Sequence, residues 1–310
     1  MSGNKGETYL FHSYAKINWF LSIEGLRPDG YHNIASLMQQ IELHDELYLS
    51  LSSEDSFTCN YAIPLGEDSL LWRTVTTLRE TFPRLRQYHF AVRVKKVIPP
   101  GGGLGGASSN VATLLRFLPT LGGYSPSFEE MLPVALSLGS DIPFFLRDAP
   151  FALVEGRGER VVPLSFSPRR FLVLLFPSFP ISTSLAYKKW DEKRTLGFSL
   201  GGPARKLLRD FLERGDPEGV EGVVWNDFET VLFEIYPLLK KYRDMLLDLG
   251  CRQAFLTGSG STLVGVVEGP EEGERIVEGL QKMGIQALCT VTRCLQGGNQ
   301  DARRCDSCWG

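Results

Sequence analysis

From Tyr9 to Ile23 the chain alternates in the manner of a β-strand. Within Ala15-Lys16-Ile17-Asn18-Trp19-Phe20-Leu21, period two puts Lys16, Asn18 and Phe20 on one face and Ala15, Ile17, Trp19 and Leu21 on the other. A loop with Pro28-Asp29-Gly30 turn chemistry comes next. Ile34–Ile41 and Leu47–Leu51 read as two further strands. Leu70–Phe82 reads as a helix, with Leu70, Leu71, Val75 and Leu78 on one side. His89–Val97 alternates Phe90, Val92 and Val94 with Ala91, Arg93 and Lys95, another strand. Val111, Leu114, Leu115 and Leu118 then fall at helical spacing before Pro119. A helix over Glu129–Leu138 stops at Gly139.

Further on, Ala152–Val154 and Arg170–Phe176 read as strands, with an interdomain linker expected near 156–168. The remainder reads as helices over Ala204–Arg214, Asp227–Leu249 and Glu271–Met283. Strands are expected over Ala254–Leu256, Thr262–Glu268 and Gln286–Arg293. That order predicts an antiparallel sheet backed by helices, an α+β fold. No internal repeat is visible. The expected units are 1–160, 161–296 and a disordered polar tail over 297–310.

The stretch Pro99-Pro100-Gly101-Gly102-Gly103-Leu104-Gly105-Gly106-Ala107-Ser108-Ser109-Asn110 lies between the predicted strand and helix. Glycines let the backbone press its N–H groups against a ligand. Ser108 or Ser109 is the expected N-cap, and the free N–H groups of a helix start make an anion site. A merely flexible turn is disfavoured by the flanking strand and helix. Gly101-x-Gly103-x-x-Gly106 satisfies the dinucleotide-binding expression, but Pro99-Pro100 interrupts the strand that should enter it. The stretch is not continued by Gly-Lys-Ser/Thr, which excludes a Walker loop.

Composition narrows the partners. At 310 residues, with 43% hydrophobic residues, the chain can fill two ordinary domains or one large one. Net charge is −3, so no nucleic-acid surface is expected. No apolar run is long enough to span a bilayer and no signal peptide is visible, which predicts a cytoplasmic protein without membrane contact. The six cysteines are scattered, against a disulfide framework. Cys305-x-x-Cys308 is half of a zinc pattern without its other half, so no metal site is assigned.

Three stretches remain as candidate chemistry. Lys16 alone could be a lysine snorkelling from a strand edge. Asp141, in Gly139-Ser140-Asp141-Ile142-Pro143, could serve only a turn. Thr257-Gly258-Ser259-Gly260-Ser261-Thr262 could be only a hairpin turn. With the first glycine loop they supply two phosphate cradles, a cation and a proton acceptor. That is the minimum for moving a phosphoryl group from a nucleotide to a hydroxyl.

Three motifs resemble the kinase superfamily named for galactokinase, homoserine kinase, mevalonate kinase and phosphomevalonate kinase. They are Ala15–Asn18, Pro99–Asn110 and Leu256–Thr262. Arg27-x-Asp29-Gly30-Tyr31-His32 and Gly139-x-Asp141-x-Pro143-x-Phe145 narrow the resemblance to the kinases of the non-mevalonate isoprenoid pathway that act on 4-diphosphocytidyl-2-C-methyl-D-erythritol (CDP-methylerythritol). It covers about Tyr9 to Arg293. It implies an N-terminal domain like ribosomal protein S5 domain 2, a ferredoxin-like C-terminal domain, and ATP with Mg²⁺ as cofactors.

The resemblance also implies roles. Asp141 is the catalytic base and Lys16 its partner. Pro99 to Ser109 form the ATP phosphate loop, with Lys96 among the ATP contacts. Tyr31 and Tyr187 sandwich cytosine, His32 reads it, and Asn18 and Thr183 touch the substrate. Gly258, Ser259 and Gly260 form the second loop. A monomer or homodimer is expected. Pro100, Ser140 and Ser69 depart from the family's usual methionine, alanine and asparagine; Pro100 and Ser69 bear on ATP affinity. Kinases of homoserine or mevalonate derivatives lack the Asp29–His32 loop's purpose. A non-catalytic nucleotide sensor would not need Lys16 and Asp141.

Overall fold

Two long strands, joined by the Pro-Asp-Gly turn, form the hairpin on which the first sheet is built. β1 spans Thr8–Leu26 and β2 spans His32–Ser52, antiparallel along their length. The computed structural model describes residues 7–195, 202–294 and 303–304. Ile34–Ile41 and Leu47–Leu51 thus belong to one strand, not two. In chain order there follow β3 (Ser56–Cys59), α1 (Leu70–Thr81), β4 (His89–Lys95), α2 (Gly106–Leu121) and α3 (Phe128–Leu138). Next come α4 (Ile142–Leu146), β5 (Phe151–Gly156) and β6 (Arg160–Pro163). The first half of β2 pairs with β5 and the second with β4. β3 lies parallel to β4, and β6 antiparallel to β5. The stretch expected as a linker therefore carries a strand of this sheet.

Helix ends reflect local chemistry. Ser69 caps α1 by accepting from the Trp72 N–H, and α3 opens with a Ser127/Glu130 capping box. Pro119 lies inside α2 rather than after it, and the helix continues to Leu121.

The second half contains β7 (Phe171–Phe176), α5 (Thr183–Thr195), α6 (Gly202–Arg214), β8 (Trp225–Asn226), α7 (Glu229–Ile235) and α8 (Pro237–Asp248). β9 (Gln253–Leu256), β10 (Leu263–Val267), α9 (Pro270–Lys282) and β11 (Gln286–Val291) complete it. The single helix expected over Asp227–Leu249 is two, because Pro237 has no N–H to continue α7 and starts α8 instead. The sheet order β11-β7-β10-β9 is wholly antiparallel. With its helices this is the split βαββαβ arrangement that the ferredoxin-like expectation requires.

One apolar layer joins the two sheets. Leu172 and Leu174 of β7, Phe255 of β9, and Val264 and Val266 of β10 cluster with Ile17 and Trp19 of β1. The Trp19 and Phe255 rings are 5.4 Å apart. Alternate residues Val173 and Leu175 instead join the cluster containing Leu246, Ile276 and Leu280 of the covering helices. A register shift between Asn18 and Phe20 interrupts the alternation of β1. Such a bulge reverses the parity of the residues beyond it. Phe20 consequently joins the cluster of Ile17 and Trp19, while Leu21 turns to the Lys16 face. The simple two-face reading is corrected there.

In the stretch expected as a disordered tail, Arg303–Arg304 forms β12, antiparallel to Tyr9–Leu10 of β1. That corrects the expectation at those two positions. Its other residues, Cys305 and Cys308 included, lie outside the described residues. Among the described residues no helix is long and apolar enough to cross a membrane.

Candidate active site

The chain between β4 and α2 wraps the start of α2. The expected serine caps are not the caps. α2 begins at Gly106, its N-cap is Gly105 in the left-handed region (φ +70°), and no side chain bonds the free N–H groups. The helix start is thus open to an anion. Ser109 faces away: its hydroxyl accepts from Ser13 at 2.8 Å. Pro99 through Ser108 line a cavity of about 520 Å³.

The second glycine loop braces the first. At Gly103 (φ +79°) a Cβ would lie 2.4 Å from the Thr257 carbonyl oxygen. The Thr262 N–H donates to the Gly102 carbonyl at 3.2 Å. This loop also joins antiparallel β9 and β10, so it is a hairpin turn as well. Gly258 and Ser259 line the cavity; Gly260 is directed toward Leu256 and Ile181. Asn226 anchors the loop's start through its Nδ2, which donates to the carbonyls of Leu256 (2.8 Å) and Gly258 (2.9 Å).

Lys16 does not snorkel. It is 3% exposed, and its backbone N–H donates to the Leu104 carbonyl of the glycine loop at 2.9 Å. Its ammonium donates to Asn18 Oδ1 at 2.7 Å and stands 3.4 Å from Asp141 Oδ2. Asn18 is itself held. Its Nδ2 donates to Ser36 Oγ at 2.8 Å, and Ser36 donates to the Phe20 carbonyl at 2.6 Å. Thr257 Oγ1 donates to Asn18 Oδ1 at 3.3 Å. Because the Phe20 carbonyl only accepts, the chain of donors runs in one direction and leaves Oδ1 facing the lysine. Asn18 thus holds Lys16, and it also lines the first cavity.

Asp141 occupies the N-cap position of α4 without a side-chain cap bond, and its side chain is 32% exposed. The Lys96 side chain is 5% exposed and donates to Asp45 Oδ2 at 2.6 Å. Asp45 also accepts from the N–H groups of Val97 and Ile98.

A second cavity, about 890 Å³, lies on the other side of Asp141. The two cavities share Ile34, Ser108, Asp141, Thr183 and Tyr187. A phosphoryl donor in the first and an acceptor in the second would meet at Asp141.

Tyr31 and His32 line this second cavity from the β1–β2 turn and Tyr187 from α5. His32 stacks on Tyr187 with centroids 4.5 Å apart and 17° between planes, and its Nε2 lies 2.9 Å from Asp191 Oδ1. Tyr187 packs edge-on with Phe228, and burial together with the Asp141 charge raises its phenol pKa. Thr183 Oγ1 is 2.8 Å from Ser259 Oγ, linking α5 to the second glycine loop. Tyr31, 46% exposed, lies under the Arg157 guanidinium. Sequence reasoning missed Ser36, Asp45, Arg157, Asp191 and Asn226. Each acts through a partner distant in the chain, and none carries a local motif.

Two family descriptions match the chain: "GHMP kinases N terminal domain" over residues 69–149 and "GHMP kinases C terminal" over 204–286. Fold and site together are therefore those of a GHMP kinase. A 4-diphosphocytidyl-2-C-methyl-D-erythritol kinase of Thermodesulfovibrio yellowstonii is 35% identical over 92% of this chain and 98% of its own length. One from Symbiobacterium thermophilum is 34% identical over 90% and 98%. The crystal structure of a 4-(cytidine 5'-diphospho)-2C-methyl-D-erythritol kinase superposes with a TM-score of 0.74 at 30% identity, covering 93% of this chain and all of the other. The chain belongs to the family of 4-diphosphocytidyl-2-C-methyl-D-erythritol kinases. Homoserine kinase from Cytophaga hutchinsonii shares the fold, with a TM-score of 0.69 at 15% identity over 95% of this chain and 96% of its own.

Proposed function

We propose that the protein transfers the γ-phosphoryl group of ATP to the 2-hydroxyl of 4-diphosphocytidyl-2-C-methyl-D-erythritol, giving ADP and the 2-phosphate. The observation that carries this reading is Asp141, placed where two cavities meet and 3.4 Å from Lys16. The hydroxyl proton passes to the Asp141 carboxylate as the hydroxyl oxygen attacks the γ-phosphorus. The bond from that phosphorus to the β–γ bridging oxygen breaks, and ADP leaves. Lys16 stands 3.4 Å from Asp141 and offsets charge on the transferring group. The open start of α2 and the glycine-loop amides hold the ATP phosphates, a fit supported by the uncapped N–H groups at Gly105–Gly106.

The ATP phosphates would hold Mg²⁺, which would supply charge neutralisation there. Among the described residues no group of three or more metal-binding side chains is present. Residues 1–160 and 161–296 are the two functional units, and we place the reaction in the cytoplasm. The Tyr31, His32 and Tyr187 rings at the second cavity favour an acceptor with a planar base over homoserine or mevalonate derivatives. ATP turnover with each of these acceptors tests the reading. Turnover with CDP-methylerythritol supports it; turnover with homoserine or mevalonate alone contradicts it.

A further inference from the structure

The turn between β5 and β6 touches two parts of the acceptor side at once. Arg157 lies in that turn, its guanidinium carbon 3.7 Å from the centroid of the Tyr31 ring. Its Nη2 donates to the Leu136 carbonyl of α3 at 2.6 Å, and its Nε to Ser140 Oγ at 3.4 Å. Its backbone N–H donates to Glu159 Oε2 at 2.5 Å, while Glu159 Oε1 accepts from Arg27 at 3.0 Å. The next residue, Gly158, has φ +126°, and a Cβ there would lie 2.0 Å from the Ser140 carbonyl oxygen. Ser140 immediately precedes Asp141. The turn is thus seated on the backbone that carries Asp141.

A guanidinium is suited to this double role. Its face attracts an aromatic ring while its edge donates hydrogen bonds in the plane. Lysine has no such plane. Tyr31 and Arg157 both line the second cavity, and Tyr31 is substantially exposed there. With Arg157 covering one face of the ring, the other remains for a planar ligand.

We propose that Arg157 is a positioning residue for the acceptor. It fixes Tyr31 as a stacking platform for the substrate base and ties that platform to the loop carrying Asp141. The proposal rests on the functional reading above, in which the base sits at Tyr31. Binding the base then orders the catalytic loop, so the remote cytidine part contributes to kcat as well as to KM.

The test compares wild type with Arg157→Met, Arg157→Lys, Tyr31→Leu and the Arg157→Met/Tyr31→Leu double variant. The readouts are affinity for cytidine diphosphate by calorimetry, kcat and both KM values. Arg157→Met is expected to weaken cytidine diphosphate about tenfold, raise the acceptor KM similarly, lower kcat and leave the ATP KM unchanged. Arg157→Lys is not expected to restore affinity. In the Tyr31→Leu background the affinity effect of Arg157→Met should vanish. The proposal is overturned if Arg157→Met lowers only the melting temperature. It is also overturned if its affinity effect is equal in both backgrounds, which would mark direct contact with the ligand. If Arg157→Met does not fold, full affinity in Arg157→Lys overturns it. Wild type that binds cytidine diphosphate but does not phosphorylate the acceptor sinks the functional reading, not Arg157's role. Wild type that fails to bind it sinks both.

Discussion

Lys16 of β1 reaches Asp141, at the start of α4, across 3.4 Å. Each is held by the backbone of a different segment: Lys16 by the Leu104 carbonyl of the glycine loop, Asp141 by its seat before α4. The pair therefore joins strand, phosphate loop and short helix at one point. The ammonium thus stands beside the carboxylate proposed to accept the hydroxyl proton.

Asp141→Asn keeps the shape of the side chain and removes the base. The expected loss in kcat is about 10²–10⁴-fold, with acceptor affinity nearly intact. Single-turnover phosphoryl transfer measures it. A rate near that of wild type would make Asp141 structural.

Lys16→Met should reduce kcat more than it weakens either substrate, because the ammonium acts where charge develops. The comparison is kcat against both KM values. A rise in the ATP KM alone would make Lys16 a clamp on ground-state phosphate.

Gly103→Ala places a Cβ 2.4 Å from the Thr257 carbonyl at φ +79°. The contact is with backbone, so one loop must move. We expect a loss of about 1–3 kcal/mol in stability together with a raised ATP KM. Thermal melts and ATP titrations read the two effects. An unchanged ATP KM would mean that the packing of the two glycine loops does not shape the phosphate site.

Glu229 tests the support behind the second loop. Its Oε1 accepts from the Leu256 N–H at 2.7 Å, and burial pushes its pKa up from 4.5 to about 7, against the pull of that bond and of Arg243. Between about pH 4.5 and 7 the folded state then binds more protons than the unfolded chain, so stability falls as pH rises through this window. Glu229→Gln keeps an acceptor without the charge. It should flatten the trend and stabilise the protein by on the order of 1 kcal/mol above pH 7. Melting temperatures of both proteins at pH 5 and pH 8 check this. An equal difference at both values would contradict the raised pKa.

Much of the site was legible because phosphoryl transfer needs particular residue types in particular local settings. The glycine-rich stretch, Lys16 and Asp141 stand out in the sequence for that reason. The helix cap was misplaced because serines at a helix start are good caps in general, whereas here Gly105 turns the chain and Ser109 bonds Ser13. The reversed parity after Trp19 depends on a bulge opposite β2, which period-two reading cannot show. α5, which carries Tyr187, escaped because its fully buried residues are only Ala186 and Trp190, too few to make an apolar stripe at helical spacing. Ser36 and Arg157 gain their roles only when β1–β2 and β5–β6 pair across the sheet.

A cytidine-linked acceptor phosphorylated at the junction of the two cavities, as proposed above, must be told apart from its uridine counterpart by its base. Cytosine presents a ring-nitrogen acceptor beside an amine donor, and uracil reverses both. Stacking on tyrosine tolerates either base, so discrimination requires a hydrogen-bonding group at the base edge, a role we propose for His32. A mismatched base leaves buried polar groups unpaired, at about 1–3 kcal/mol each. The decisive measurement is kcat/KM with ATP for CDP-methylerythritol and its uridine counterpart, on wild type and on His32→Leu. The account predicts a preference for cytidine of at least about tenfold in wild type, eroded in His32→Leu mainly through loss on the cytidine compound. Equal use of both compounds by wild type, or no turnover of either, would contradict it.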